Sequence, residues 1–262
     1  MIKILENYFL KKKVKSIGTE WKKQINTSTL FDGINNVVVI WNNEINSLNS
    51  FLTFDRSLKH KLKNLNVYYF ILTYFTLYKD LFHQENIEEL VKPKPIKFQE
   101  LEKIFEFKKK LKEIDLFIDL SNIEKDYRKL FIRTLKPSVS ITFFEEGIEE
   151  DFNILFKSND KNPVTLLKLL NFDIIDESFL EYLKIRIEKL NITVFPLVLI
   201  GKSSKVLKEK KKAEKEKKRF LYISELNNEL NIVNFYHILK TKELVFDDNF
   251  TDEVGFIKSF KF

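Results

Sequence analysis

Two adjacent carboxylates, Glu145 and Glu146, follow an apolar run of the chain and precede Gly147. Carboxylates held together in a dry cleft perturb each other's titration, which can make one of them a general base. The same pair would also suit the first turn of a helix, where the helix dipole favours acidic residues. We therefore predict Glu145 and Glu146 as candidate catalytic residues, with a helix-start role as the alternative.

A second polar segment, Gly201-Lys202-Ser203-Ser204, comes directly after an apolar run and opens a helical pattern. Backbone N–H groups at such a junction can hold a diphosphate, and the lysine and hydroxyl groups would add donors. The segment lacks the first glycine and the spacing of a P-loop, so no P-loop is predicted. The alternative is that Ser203 is a simple helix N-cap.

A third polar segment, Asp247-Asp248-Asn249, follows the apolar run at residues 244–246. Asp248 and Asn249 are candidate ligand-binding residues, for a ribose, a phosphate or a divalent ion. A turn after an edge strand explains the same residues equally well.

Composition excludes several other kinds of chemistry. The 262 residues include no Cys and only three His, which removes thiolate metal sites and cysteine nucleophiles and argues against a histidine metal cluster. The five glycines are scattered, so they cannot form a glycine-rich phosphate loop. We therefore predict neither a metal nor a cofactor.

The net charge of +7 is concentrated in two segments. Residues 1–23 carry seven Lys and two Glu, and their apolar spacing predicts a basic amphipathic helix that either contacts anionic lipid or packs on a domain. Residues 205–219 carry nine basic and three acidic residues without interleaved aromatic residues. A solvated helix is favoured there over nucleic-acid binding, since the glutamates pair with lysines one turn away.

The elements that would position these groups alternate between short apolar runs and charged helical stretches. This pattern predicts α/β folding with parallel strands, joined by helical crossovers and covered on both faces. We expect an N-terminal region at residues 1–30 and two Rossmann-like domains at 31–160 and 161–262. Strands are predicted at 37–41, 67–72, 116–120, 139–144, 194–200, 220–224 and 244–246, with a further one at 257–262.

Ligands of open parallel sheets bind beyond the carboxyl ends of the strands, at the switch point and between domains. The predicted post-strand segments are all polar: residues 42–50, 121–122, 145–147, 201–204 and 247–249. In addition, Asp119 ends a strand and would be either a functional carboxylate or a helix cap, and His237 is predicted to be a partly buried residue with a satisfied ring.

The order of these segments resembles that of the GT-B glycosyltransferases, and particularly the heptosyltransferase-like family 9. The resemblance rests on Val37–Trp41 with the following Arg56-Ser57-Leu58, on Ile114–Ser121, and on Leu197–Gly201 with Leu244–Asn249. The Glu145-Glu146-Gly147 motif is similar to one in the sialyltransferase-like family 52, where the acidic residue deprotonates the acceptor hydroxyl.

The resemblance implies transfer of a sugar from a nucleotide-sugar to a glycan or lipid-linked acceptor, as in lipopolysaccharide or other glycan biosynthesis. The position of the family 9 base falls on Asn46-Ser47, so Glu145 or Glu146 would replace it. Residues 201–204 with Asp248 and Asn249 would hold the donor diphosphate. The alternative is a relative that has kept the fold and lost the reaction, acting as a binding or scaffold protein. Cytoplasmic localisation is expected, with or without peripheral membrane contact.

Overall fold

The computed structural model describes residues 11–12, 14–18, 25, 29–41, 48–62, 65–71, 87–89, 98–111, 113–121, 123–176, 178–189 and 192–260. They divide into two compact units at residues 176 and 177. The first unit contains most of the described residues up to 176, and the second contains those from 178 onward. Of the predicted segments, residues 1–10, 13, 19–24, 26–28, 42–47, 72, 122 and 261–262 lie outside the described part of the chain.

The first unit is built on a six-stranded parallel sheet with the strand order β3-β2-β1-β4-β5-β6. This is the strand order of the doubly wound dinucleotide-binding fold, whose switch point lies between β1 and β4. The strands are β1 (Asn36–Trp41), β2 (Asn66–Ile71), β3 (Ile87–Glu89), β4 (Leu116–Asp119), β5 (Val139–Phe143) and β6 (Ile154–Phe156). The helices are α1 (Leu48–Lys61), α2 (Phe98–Lys110), α3 (Lys125–Leu135) and α4 (Pro163–Leu169).

Both faces of this sheet are covered, which explains the continuous apolar runs of its strands. Because side chains alternate along a strand, Val38 and Ile40 share one face and enter a core cluster with residues of α2 and α3. Trp41 lies on the opposite face, where its ring centroid is 4.6 Å from that of Phe51 of α1. Central strands buried on both sides need helices against each face, as the sequence predicted.

Helix α1 packs part of its polar sequence inward. Asp55 of this helix is buried. Its carboxylate accepts hydrogen bonds from the hydroxyl of Tyr69 at 2.8 Å and the ammonium group of Lys59 at 2.9 Å. Burial, followed by the charge of Asp55, raises the pKa of Tyr69 well above its usual value, so this phenol remains a hydrogen-bond donor.

The division between the units falls later than the predicted boundary at residue 160, because the segment after β6 is bound to α1. Asp176 accepts a hydrogen bond from the Thr53 hydroxyl at 3.3 Å, and Ser57 accepts one from the Ile175 amide at 2.8 Å. These contacts link residues far apart in sequence, so composition alone does not reveal them.

The second unit has a three-stranded parallel sheet with the order β8-β7-β9. Leu197 and Leu199 of β7 pack against Val206 and Ala213 of the helix that follows it. The strands are β7 (Leu197–Ile200), β8 (Phe220–Ile223) and β9 (Glu243–Phe246). The helices are α5 (Phe179–Glu188), α6 (Ser204–Lys215), α7 (Leu226–Glu229), α8 (Ile232–Lys240) and α9 (Thr251–Ser259), with a 3₁₀ turn at Asp248–Phe250.

The predicted fold class, α/β with two open parallel sheets and flanking helices, is confirmed, and seven predicted strands are present. The predicted eighth strand at 257–262 is wrong, since Thr251–Ser259 forms α9 and buries Val254 and Ile257 on one helical face. Two short strands were not predicted. β3 has the sequence Ile-Glu-Glu and so has no apolar run. β6, Ile-Leu-Phe, is apolar but only three residues long and half-buried at the edge of the sheet.

The described part of the basic N-terminal segment packs on the first unit. Val14 is 5% exposed and belongs to the same core cluster as α3, while Lys11, Lys12 and Lys15 are exposed. This is the arrangement expected of a helix packed on a domain. Contact with anionic lipid stays a prediction.

Candidate functional site

A buried arginine organises the carboxyl ends of β4 and β5. Arg128 of α3 donates from Nε to Asp119 at 2.6 Å, from Nη1 to Glu145 at 2.5 Å, and from Nη2 to the Thr142 hydroxyl at 2.8 Å. We call these four residues the strand-end cluster. The guanidinium of Arg128 thus joins the end of β4, strand β5 and the loop that follows β5. These bonds fix the orientation of the Glu145 carboxylate.

The cluster forms because α3 turns a charged residue toward the sheet. Arg128 lies between the buried Tyr127 and Leu130, and its side chain is 4% exposed. The side chain of Asp119 is fully buried. A buried ion pair is tolerated only when its remaining polar atoms are bonded, and Ser121 meets that need by donating its amide and hydroxyl to Asp119.

These contacts assign the predicted carboxylates to different environments. Asp119 is a structural anchor that holds both Arg128 and Ser121. Glu145 keeps 34% of its side chain exposed while bonded to Arg128, and Lys125 lies 3.7 Å from it. Glu146 is exposed. Neither glutamate starts a helix, because residues 144–147 form a loop and turn.

In the second unit, the predicted diphosphate segment is already bound to a carboxylate. Asp247 accepts hydrogen bonds from the Lys202 amide at 2.7 Å and from the Ser203 amide at 3.1 Å. We call Gly201–Ser204 the amide loop. Ser203 is also the N-cap of α6, since its hydroxyl accepts from the Val206 amide, which confirms the N-cap interpretation.

The amide loop lies at the topological switch point of its sheet. The central strand β7 has β8 on one side and β9 on the other, and its following loop meets the loop after β9. In open parallel sheets this crevice is the usual ligand position. Here the crevice is occupied by the Asp247 carboxylate. Partial burial acts to raise the pKa of this carboxyl group, but hydrogen bonds from Ser203 and Lys202 have the larger combined effect. The pKa of Asp247 therefore lies below its ordinary value.

The other predicted residues of the second unit lie around this loop. Lys202 donates to Glu225 at 2.6 Å, and this hydrogen bond raises the pKa of the lysine. Ser204 is exposed at the start of α6. Asp248 and Asn249 are exposed in the 3₁₀ turn, so the residue that reaches the amide loop is Asp247, one position earlier than predicted.

Two further sequence-based interpretations are confirmed. His237 is 4% exposed, and its Nδ1 accepts a hydrogen bond from the Phe195 amide at 3.4 Å. Most of the basic run lies in α6, in which only Val206 and Ala213 are buried, so this helix is solvated; the preference over nucleic-acid binding stays a prediction. Within the part of the chain that the structure describes, no group of three or more His, Asp or Glu residues is arranged to hold a metal ion.

Sequence reasoning missed the central role of Arg128 and the position of Asp247. The signal for Arg128 was a basic residue inside the apolar stripe of a helix, next to Tyr127. The signal for Asp247 was its place directly after β9, which puts it closer to the sheet than Asp248. The roles of Arg128 and Asp247 depend on contacts between different strands and helices. Spacing of residues along the sequence does not specify such contacts.

No protein-family model matches the chain, and no curated protein sequence matches it. Among solved structures, the chain is similar to the crystal structure of the glycosyl transferase family 9 protein from Veillonella parvula DSM 2008. The sequences are 10% identical, the TM-score is 0.49, and the match covers 88% of this chain and 79% of the other. This similarity transfers no residue role, donor or acceptor. Separately, none of the helices in the described ranges is long and apolar enough to cross a bilayer.

Proposed function

We propose that this protein is a glycosyltransferase-like enzyme that moves a sugar from a nucleotide-sugar donor to a glycan or lipid-linked acceptor. The observation that carries the proposal is Glu145, a partly exposed carboxylate held in a fixed orientation by a buried arginine at the carboxyl end of a parallel strand. The ends of parallel strands are where this class of fold places its substrates.

In the proposed reaction, Glu145 is the base. Glu145 accepts the proton of the acceptor hydroxyl, whose oxygen then forms a bond to the anomeric carbon of the donor sugar. The bond between that carbon and the diphosphate oxygen breaks, and the nucleoside diphosphate leaves with the electron pair. Within the second unit, the amides of Lys202 and Ser203 are candidate donors to a diphosphate, which would take the place of the Asp247 carboxylate so that one anion replaces another.

The test compares two neighbouring glutamates. Removing a general base lowers the rate by about 10²–10⁴-fold, so Glu145→Gln should lose transfer while it still binds the nucleotide. Glu146→Gln, a matched change at an exposed neighbour, should remain close to wild type. Titration calorimetry against a panel of nucleoside diphosphates comes first, and absence of binding at millimolar concentration would contradict the proposal.

A second candidate function, a binding or scaffold protein without transferase activity, is favoured by one observation. The Asp247 carboxylate occupies the amides that a donor diphosphate would need. If Asp247 is a permanent structural partner, the chain should bind no nucleotide even when Asp247 is replaced. The two candidates therefore differ in a direct binding measurement and need no knowledge of the acceptor.

A further inference from the structure

The first unit contains a basic pocket that the strand-end cluster does not use. Its volume is about 760 Å³, and it lies between the described N-terminal helical residues, α3 and the turn that follows β5. Five cationic side chains and two carboxylates, Asp126 and Glu150, line it. The cations are Lys11, Lys12, Lys15, Lys129 and Arg133.

Arg133 provides a fixed cation in the wall of this pocket. Its side chain is 10% exposed, its Nε donates to Asp151 at 2.5 Å, and its Nη1 donates to the carbonyl oxygen of Val14 at 2.7 Å. Among the described residues, Nη2 of Arg133 has no acceptor. A guanidinium that is held on two sides and has donors left over is preorganised to bind an anion.

The lysines at the pocket supply charge that no described carboxylate neutralises. Lys11, Lys12 and Lys15 are exposed, and within the described ranges no carboxylate lies within 4.0 Å of their ammonium groups. The seven charged lining residues sum to +3, and the Asp151 carboxylate that pairs with Arg133 lowers the local net charge to +2. A cavity of this kind raises the local concentration of anions and favours a ligand that carries several negative charges.

Size and charge together define the class of ligand. Small-molecule sites occupy about 300–1,000 Å³, so this pocket is larger than a single inorganic ion requires. Lysine ammonium groups and an arginine guanidinium are the usual protein donors to phosphoryl oxygens. A compact molecule with two or more phosphoryl groups would match both the volume and the net charge.

We propose that the pocket formed by the N-terminal lysines and Arg133 binds a polyanion that carries two or more phosphoryl groups, either free in solution or as a lipid headgroup. The site is independent of the proposed sugar transfer, since it uses neither Glu145 nor the amide loop. It also gives the basic N-terminal segment a defined role, because three of its lysines would contact the ligand.

The test uses two probes and a matched pair of double variants. The probes are inorganic triphosphate, measured by titration calorimetry, and phosphatidylcholine vesicles containing a phosphatidylinositol bisphosphate, measured by cosedimentation. Lys12→Gln with Lys15→Gln removes two pocket cations that form no ion pair with any carboxylate in the described ranges. Lys208→Gln with Lys211→Gln makes the same change of net charge on the exposed face of α6.

The wild type should bind at least one probe, and the Lys12 and Lys15 variant should bind it about tenfold more weakly or worse, as expected for the loss of charge-assisted hydrogen bonds. The α6 variant should bind like the wild type. A loss confined to triphosphate would identify a free ligand, and a loss confined to vesicles would identify a headgroup. Binding of neither probe, or an equal loss in both variants, would overturn the proposal, whether or not sugar transfer is found.

Discussion

The carboxyl group of Asp247 lies directly against Gly201, at a distance that leaves no room for a side chain on the glycine. Gly201 has φ of +110°, a conformation that L side chains rarely adopt, and this turn directs the following amides toward Asp247. The contact therefore links the end of β7 to the end of β9 through the one residue type that permits it.

This contact predicts a strong effect of a methyl group at residue 201. Gly201→Ala should lower the free energy of unfolding by about 1–3 kcal/mol, because the added Cβ would combine backbone strain with overlap of the Asp247 carboxyl group. Gly255→Ala is the matched control: Gly255 lies in α9 with open space around its Cα, so the change should be stabilising by about 0.5–1 kcal/mol. Urea unfolding of both variants measures the difference, and equal effects would contradict the model of a close approach.

Replacing Asp247 tests whether the amide loop is a ligand site. Asp247→Ala frees the amides of Lys202 and Ser203, so a nucleoside diphosphate should bind about tenfold more tightly than to the wild type if it uses these donors. Asp247→Asn should have a smaller effect, since its side-chain carbonyl still accepts hydrogen bonds. Titration calorimetry measures the affinities, with thermal unfolding as a check of folding. An unchanged or weaker affinity in Asp247→Ala would show that the amide loop does not bind the diphosphate.

The buried arginine of the strand-end cluster is expected to be essential for stability. Arg128→Met leaves the buried Asp119 carboxylate without its cation, which should cost about 3–5 kcal/mol in the free energy of unfolding. Adding Asp119→Asn should recover part of that loss, because the unpaired charge is then removed. Additive losses in this double-mutant cycle would argue against direct coupling.

Lys125 provides the control for the same cluster. Its ammonium group lies 3.7 Å from Glu145, and its side chain is 46% exposed. An exposed ion pair of this kind contributes about 0–1 kcal/mol. Lys125→Met should therefore change the free energy of unfolding far less than Arg128→Met, and chemical denaturation of the two variants compares them directly.

His237 should make stability depend on pH. Burial, and to a smaller degree the charge of Arg219, lower the pKa of His237 below its usual value of 6.5. In the unfolded chain the His237 imidazole binds a proton near pH 6.5, whereas in the folded chain it binds one only at a lower pH. The folded state therefore loses stability as pH falls from 6.5 toward the folded pKa of His237. His237→Gln removes this titration and should flatten the dependence.

The measurement is urea unfolding at about pH 7.5 and about pH 5.5, which bracket the histidine titration. His60→Gln, at an exposed position of α1, should keep the wild-type dependence on pH. A flattened dependence in His60→Gln, or an unchanged one in His237→Gln, would show that other groups control the acid response.

Much of the fold could be read from local pattern. The strands Val37–Trp41 and Leu197–Ile200 are continuous apolar runs because each is buried on both faces. The length and composition of such a run along the sequence are enough to predict a buried strand. The N-cap role of Ser203 and the solvated character of α6 were predicted for the same reason, since both depend on neighbours one turn away. The three-residue edge strand β3 escaped prediction because it has no apolar run.

The contacts within the candidate sites depend on tertiary structure more than on local sequence. The sequence by itself placed Glu145 and the Gly201–Ser204 segment at strand ends, because the position of a polar residue after an apolar run is local information. Only the tertiary structure decided that Arg128 holds Glu145 and that Asp247, instead of Asp248, reaches the amide loop. The physical reason is that these partners lie on different elements, and parallel pairing brings them together across crossover connections whose geometry is fixed by packing of the whole sheet.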